Sequence, residues 1–388
     1  MKYLLLLGLV TLVACSKTAD RQPTSVEEEV SQSCDFGIKQ FNLSKRAPVD
    51  NNEVATKRPK PPGTTPTPPP PSNAGVILLD FNGHFVSGTM WNSGGTNFTC
   101  APANVSAEDA NIILQRVTND FSPFNITVTT DEAVYNAANY LRRTRVVITE
   151  SWEWFGQAGG TSFLNTFTSG TNTPCFVFSS LLGYNVKSIA EASSHESGHT
   201  LGLRHQSSYD ANCVKLSEYN TGQGSGEIGW APIMGNSYSR NLSLWHKGPN
   251  SLGCSNIQDD VAIIANVVGY KTDDYSNSTA SAVALTGSLA GCVSNNNDLD
   301  FFSLNLGTTK TVSLIPVNVG ISNAGANLDL ILKVYNSQGG LLAAYENPSI
   351  LNTSTTLAPG NYYVSVGTAA NSYATTYGML GKYNISLY

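Results

Sequence analysis

The sequence predicts a mixed α/β (α+β) domain followed by an all-β sandwich, and three observations carry that prediction. From Gly75 to about residue 272, apolar strand-like runs alternate with segments whose apolar residues recur at helical spacing. Beyond residue 272, short apolar runs are separated by Gly, Asn and Pro, with no helical pattern between them. Three of the chain's five histidines fall between His195 and His205, at the end of a helical stretch.

Taken in order, Val76–Phe81 is an apolar run suited to a buried strand. Ser106 and Asp109 have the spacing of a capping box, and Ala110, Ile113, Leu114, Val117 and Phe121 then line one helical face. Asn125–Thr130 alternates as a strand does, and Arg145–Thr149 is another strand. Gly159–Phe167 and Cys175–Ser179 are expected to form an edge pair of strands joined by a loop. Asn185–Leu201 is helical and runs into the histidines; Ile257–Val268 is a last amphipathic helix, giving about three helices on a mixed sheet. Thr272–Asn277 is a polar link. The sandwich strands expected after it are Phe301–Leu304, Thr311–Val317, Leu328–Tyr335, Leu341–Tyr345, Tyr362–Val366 and Tyr383–Leu387.

Composition points outside the cytoplasm. Only 13% of residues are charged, and the net charge of −6 argues against a nucleic-acid partner. Met1-Lys2 followed by the apolar Tyr3–Ala14 reads as an export signal too short to span a membrane as a helix. Residues 57–73 are proline-rich and suit an extended spacer, so 16–74 is either a stalk or a pro-segment; in the second case Cys34 would place a thiolate on a metal. Six cysteines remain beyond Cys15. Exported chains favour disulfides, and the pairs expected are Cys213–Cys254, then Cys100–Cys175, with Cys34–Cys292 left over.

His195, Glu196, His199, Gly202 and His205 carry the chemistry. Residues four apart share a helix face, so His195 and His199 can meet one ion. Gly202 lets the chain leave the helix, and the turn brings back His205 as a third ligand. Three protein ligands leave an open position, as in catalytic rather than structural zinc sites. Glu196, next to the first ligand, is placed to act as general base.

This spacing resembles that of the metzincin zinc metalloproteases. The resemblance extends to Trp230-Ala231-Pro232-Ile233-Met234-Gly235, where Met234 matches the methionine of the family's Met-turn. It implies a metzincin-like catalytic domain over 75–272 and a zinc endopeptidase acting on extracellular protein or peptide substrates. It also implies a substrate strand laid along a sheet edge, for which Gly160, Thr161 and Ser162 are the candidates. The segment Met234–Arg240 is most similar to secreted bacterial reprolysin-like members. Two departures stand out: Gln206 follows the third histidine where that branch often has Asp, and Tyr238, a candidate for oxyanion support, lies four residues after Met234 rather than two.

Two further resemblances complete the organisation. Leu12-Val13-Ala14-Cys15 resembles a lipobox, which implies a lipoprotein signal peptide over 1–15, a lipid on Cys15 and attachment to a membrane, in a Gram-negative cell the outer one, or release after processing. Asp298–Phe302, Asn327–Leu330 and Pro359–Val364 make 273–388 resemble the bacterial pre-peptidase C-terminal domain. Asp298, Asp300 and Asp329 are candidate Ca²⁺ ligands there, since that ion takes oxygen ligands. The rival expectation is a non-catalytic adhesin or carbohydrate-binding lipoprotein on the same scaffold.

Overall fold

Alternating side-chain burial organises the first half of the molecule. The computed structural model describes residues 74–318 and 325–388, so Cys15, Cys34 and the segment 16–73 lie outside the described residues. A five-stranded sheet runs in the order Ile126–Thr129, Gly75–Asp80, Arg143–Thr149, Cys175–Phe178, Gly160–Thr161. The first four strands are parallel, and the last pairs antiparallel at the edge. Ile77, Leu79, Val146, Ile148 and Val177 point to one face, where α1 (Ala107–Asp120) and α3 (Val186–Thr200) pack. Val76 and Leu78 point to the other and meet Val134 and Tyr135 of α2 (Glu132–Ala137). Phe176 and Phe178 share that second face with Val147, beside Trp91, Phe98, Trp154 and Phe155. A sheet buried on both faces by this period of two is what parallel strands require.

Several expectations hold and several need correction. Ser106 accepts from Asp109 N, as the capping spacing implied, and Cys213–Cys254 is a disulfide. Cys100 and Cys175 are not paired; both are buried free thiols. The pleat separates them, since Cys175 packs with the α3 face and Cys100 with the aromatic face. There are four α-helices among the described residues rather than three, because α2 is six residues long and too short to show a period. The last helix, α4 (Asp260–Val268), starts three residues late: Asp259 caps it through Ala262 N, and Ile257 lies 55% exposed in the strand Gly253–Asp259. The edge strand shrinks from Gly159–Phe167 to Gly160–Thr161. Asn165 adopts a left-handed φ of 62° and donates its N–H to the His199 carbonyl, so this segment leaves the sheet to brace the end of α3.

After α4 the chain forms two facing sheets. One orders Val283–Ala284, Asp300–Leu306, Gly360–Thr368, Leu330–Asn336 and Leu341–Tyr345; the other orders Ser288–Val293, Gly381–Leu387, Lys310–Pro316 and Thr353–Leu357. The chain is therefore a mixed α+β molecule, rich in strands, with a β-sandwich at its C-terminal end. Its hydrophobic core does not stop at the link: the cluster holding Val117, Ile189, Met234 and Trp245 continues into Leu304, Leu330, Val364 and Tyr383. Among the described residues no helix is long and apolar enough to cross a membrane.

Candidate metal centre and cleft

Helix α3 is enclosed almost along its whole length, with Ile189–Thr200 all buried. Small residues make that enclosure feasible. Ser193 and Ser197 return their hydroxyls to the carbonyls of Ile189 and Ser193 at 2.7 Å, so neither leaves a polar group unsatisfied inside the core. Gly198 is required by close approach: a β-carbon there would lie 2.5 Å from Met234 Sδ. Gly202 ends the helix at φ +102°, a conformation that favours glycine.

The structure brings His195, His199 and His205 together. Their ring centroids are 4.7, 5.3 and 5.0 Å apart, and one ligand atom from each lies within 4.8 Å of the others. Each Nδ1 faces an oxygen that accepts: Ile233 O at 2.7 Å, Leu203 O at 2.6 Å and Glu218 Oε1 at 2.7 Å. A carbonyl or carboxylate cannot donate, so each Nδ1 carries a proton. The Nε2 atoms of His199 and His205 are buried without a hydrogen-bond partner. Burial first, and then the neighbouring imidazoles, push His195 down to about 3 and His199 well below its usual range. Converging imidazoles, with the Nε2 atoms of His199 and His205 left unpartnered, fit a divalent transition metal, and an all-nitrogen set suits zinc. The described residues gather three such ligands here, not four.

Glu196 lies beside this group, and Gly160 of the edge strand touches it: a β-carbon on Gly160 would lie 2.7 Å from Glu196 Oε1. A cleft of about 390 Å³ opens over them, lined by Gly159, Gly160, His195, Glu196, Ile233 and Tyr238 among others. Tyr238 is thereby placed in the cleft, and burial, with the charges of Glu196 and Glu191, raises its pKa so that the hydroxyl stays a donor. Thr161 and Ser162 are buried, and Thr161 rather than Ser162 completes the edge strand. Met234 is fully buried beneath α3. Gln206 anchors the segment after the third histidine, donating its backbone N–H to Met234 O at 2.8 Å and its side chain to Asp260 Oδ1 at 3.0 Å.

Three contributors were not anticipated. Glu218 and Tyr219 reach His205 from a loop whose sequence carries no period, so nothing local marks them. Glu191, also lining the cleft, carried a readable signal: it stands four residues after Lys187 on one helix and pairs with it at 3.0 Å. In the sandwich, the acidic groups that converge are Asp273, Asp274 and Asp300 rather than Asp298, Asp300 and Asp329. Asp329 is instead engaged by Asn371 at 2.8 Å, while Asp298 receives Ser294 N at 2.6 Å. The polar link and the start of the strand Asp300–Leu306 build this second group.

No protein-family model matches the chain, and no curated protein matches it. Among solved structures, the chain is similar to the pre-peptidase C-terminal domain of a collagenase from Bacillus anthracis. That similarity has 13% identity and a TM-score of 0.21, and covers 30% of this chain and 98% of that chain.

Proposed function

We propose that the chain is a zinc-dependent endopeptidase with a metzincin-type centre. One observation carries the reading: three imidazoles converge beside Glu196, in a cleft lined by the edge strand of the sheet. His195, His199 and His205 would hold the ion. Zinc, when bound, supplies Lewis acidity that polarises a peptide carbonyl and acidifies a water in its open position.

The remaining steps belong to the chain's own groups. An extended peptide pairs with Gly160–Thr161, which has no strand beyond it among the described residues. That pairing sets the scissile carbonyl over Glu196, and the absence of a side chain at Gly160 lets the backbone come close. Glu196 removes a proton from the attacking water and returns it to the leaving amine. Tyr238, kept protonated, donates to the oxygen that gains charge. Met234 forms the apolar floor under α3 and fixes the height of the ligands.

Glu196→Gln tests the reading. It should leave zinc content unchanged and lower kcat on casein by about 10²–10⁴-fold. Stoichiometric zinc with no proteolysis by the wild-type chain would refute it and favour the adhesin alternative. The proposal includes export with a lipid on Cys15, which places the cleft at a membrane surface facing extracellular proteins.

Calcium is proposed for the sandwich group. Asp300 is fully buried and its Oδ1 has no hydrogen-bond partner, while Asp273 and Asp274 bring further carboxylate oxygens within 4.8 Å. Oxygen-only ligands of this charge suit Ca²⁺.

A further inference from the structure

We infer that Glu218 is a positioning residue for the metal centre: it fixes the third ligand, His205, and sets how tightly the site holds zinc. The inference rests on the zinc reading above and extends it to a residue no motif marks. The three ligands are held differently. His195 and His199 rest on the backbone carbonyls of Ile233 and Leu203, which no side-chain substitution removes. His205 rests on a side chain, Glu218 Oε1, at 2.7 Å. His205 also stands beyond the helix, after Gly202, so helical hydrogen bonding does not fix its ring.

Glu218 is itself held. Lys215 Nζ donates to its second carboxylate oxygen at 2.7 Å and to Ser251 O at 2.9 Å. Ser207 Oγ donates to the Glu218 carbonyl at 2.6 Å. The short hairpin of Ser208–Tyr209 with Lys215–Ser217 carries the residue back to His205, and Cys213–Cys254 ties that hairpin to the strand Gly253–Asp259. Tyr219 then packs its ring 4.4 Å from the His205 ring and 6.2 Å from His195. The carboxylate on Nδ1 and the phenol packed against the ring together hold His205 with its other nitrogen toward His195 and His199. An acceptor on Nδ1 also makes Nε2 a stronger donor to a metal, and loss of such an outer partner weakens metal binding by about 10–100-fold.

The experiment measures zinc affinity, by competition with a chromophoric chelator, on the full chain as wild type, Glu218→Ala, Glu218→Gln and His205→Ala. Melting temperatures are taken in excess EDTA and in saturating zinc. Glu218→Ala should bind zinc about 10–100-fold more weakly, with its EDTA melting temperature within about 2 °C of wild type. Glu218→Gln keeps an oxygen acceptor and should recover most of the loss. His205→Ala sets the limit for complete removal of the ligand. A dissociation constant for Glu218→Ala within about twofold of wild type overturns the inference and leaves the zinc reading standing. An affinity loss matched by an equal fall in the EDTA melting temperature, with no recovery in Glu218→Gln, also overturns it, since that pattern belongs to a purely structural role. Wild-type chain that binds no zinc overturns both.

Discussion

Gly160 and Tyr238 both line the cleft, and each can be tested by a change of one heavy atom. A methyl at Gly160 has no room: the nearest atoms would be Glu196 Oε1 and the Phe176 carbonyl, both at 2.7 Å. Backbone cannot retreat as a flexible side chain does, so Gly160→Ala should displace Glu196 or the edge strand and lower kcat/KM by at least about 10-fold. Tyr238→Phe removes only the hydroxyl. Loss of one donor to a developing oxyanion should lower kcat by about 10²-fold with little change in KM; a change in KM alone would show that Tyr238 only shapes the pocket. The gathering of His195, His199 and His205 was legible because the first two share one helix face and Gly202 turns the chain back toward them. Glu218 was not, because its partnership with His205 is made by a loop, and loops leave no periodic trace.

Among the elements, the long helices α1 and α3 were the most legible, and the edge strand the least. Gly159–Phe167 has the composition of a strand, yet only two residues pair, because Phe163, Leu164 and Phe167 find burial against the rest of the core. The disulfide was legible from its position astride the loop after His205. It closes a loop with a sequence separation of 41, for which constraint of the unfolded chain is worth about 4 kcal/mol. Its reduction should therefore lower the melting temperature by several degrees, read by scanning calorimetry with and without a phosphine reductant. The link around Asp273 carries a pH prediction. Burial first, and then Asp298, Asp274 and Asp273, raise Asp300 from 3.8 to about 8. A carboxyl raised on folding favours the folded state at low pH, and that contribution is lost as pH climbs from about 4 through 8. Calcium selects the ionised form. In EDTA the melting temperature should fall between pH 5 and pH 8, and the rise produced by calcium should be larger at pH 8 than at pH 5. An equal calcium effect at both pH values would dismiss Asp300 as a ligand.

The change of texture near residue 272 marks where helices cease, but it does not mark where the core ends. Sequence texture reports secondary structure; it is silent on which apolar faces meet. Here they meet extensively. Ala326 bridges Leu242, Trp230 Nε1 donates to Tyr373 O at 2.5 Å, and Glu227 Oε1 accepts from Leu351 N at 2.8 Å. The most consequential contact is polar. Asn327 donates to Asp120 Oδ1 at 2.9 Å and to Ser243 O at 2.7 Å, and accepts from Asn119, whose own oxygen accepts from Lys382 N at 3.0 Å. Asp120 receives Ser194 Oγ at 2.5 Å through its other oxygen, and Ser194 directly precedes His195. A side chain of the sandwich thus completes the buried network one residue from His195. Asn327→Ala would strip a donor from a buried carboxylate and from a buried carbonyl, costing about 2–4 kcal/mol. The chain cut after Thr272 would lose that network and the apolar cover of Leu242 together. It should give no cooperative melt and no stoichiometric zinc, whereas an independent accessory sandwich would leave a 75–272 fragment melting and binding zinc as the whole chain does.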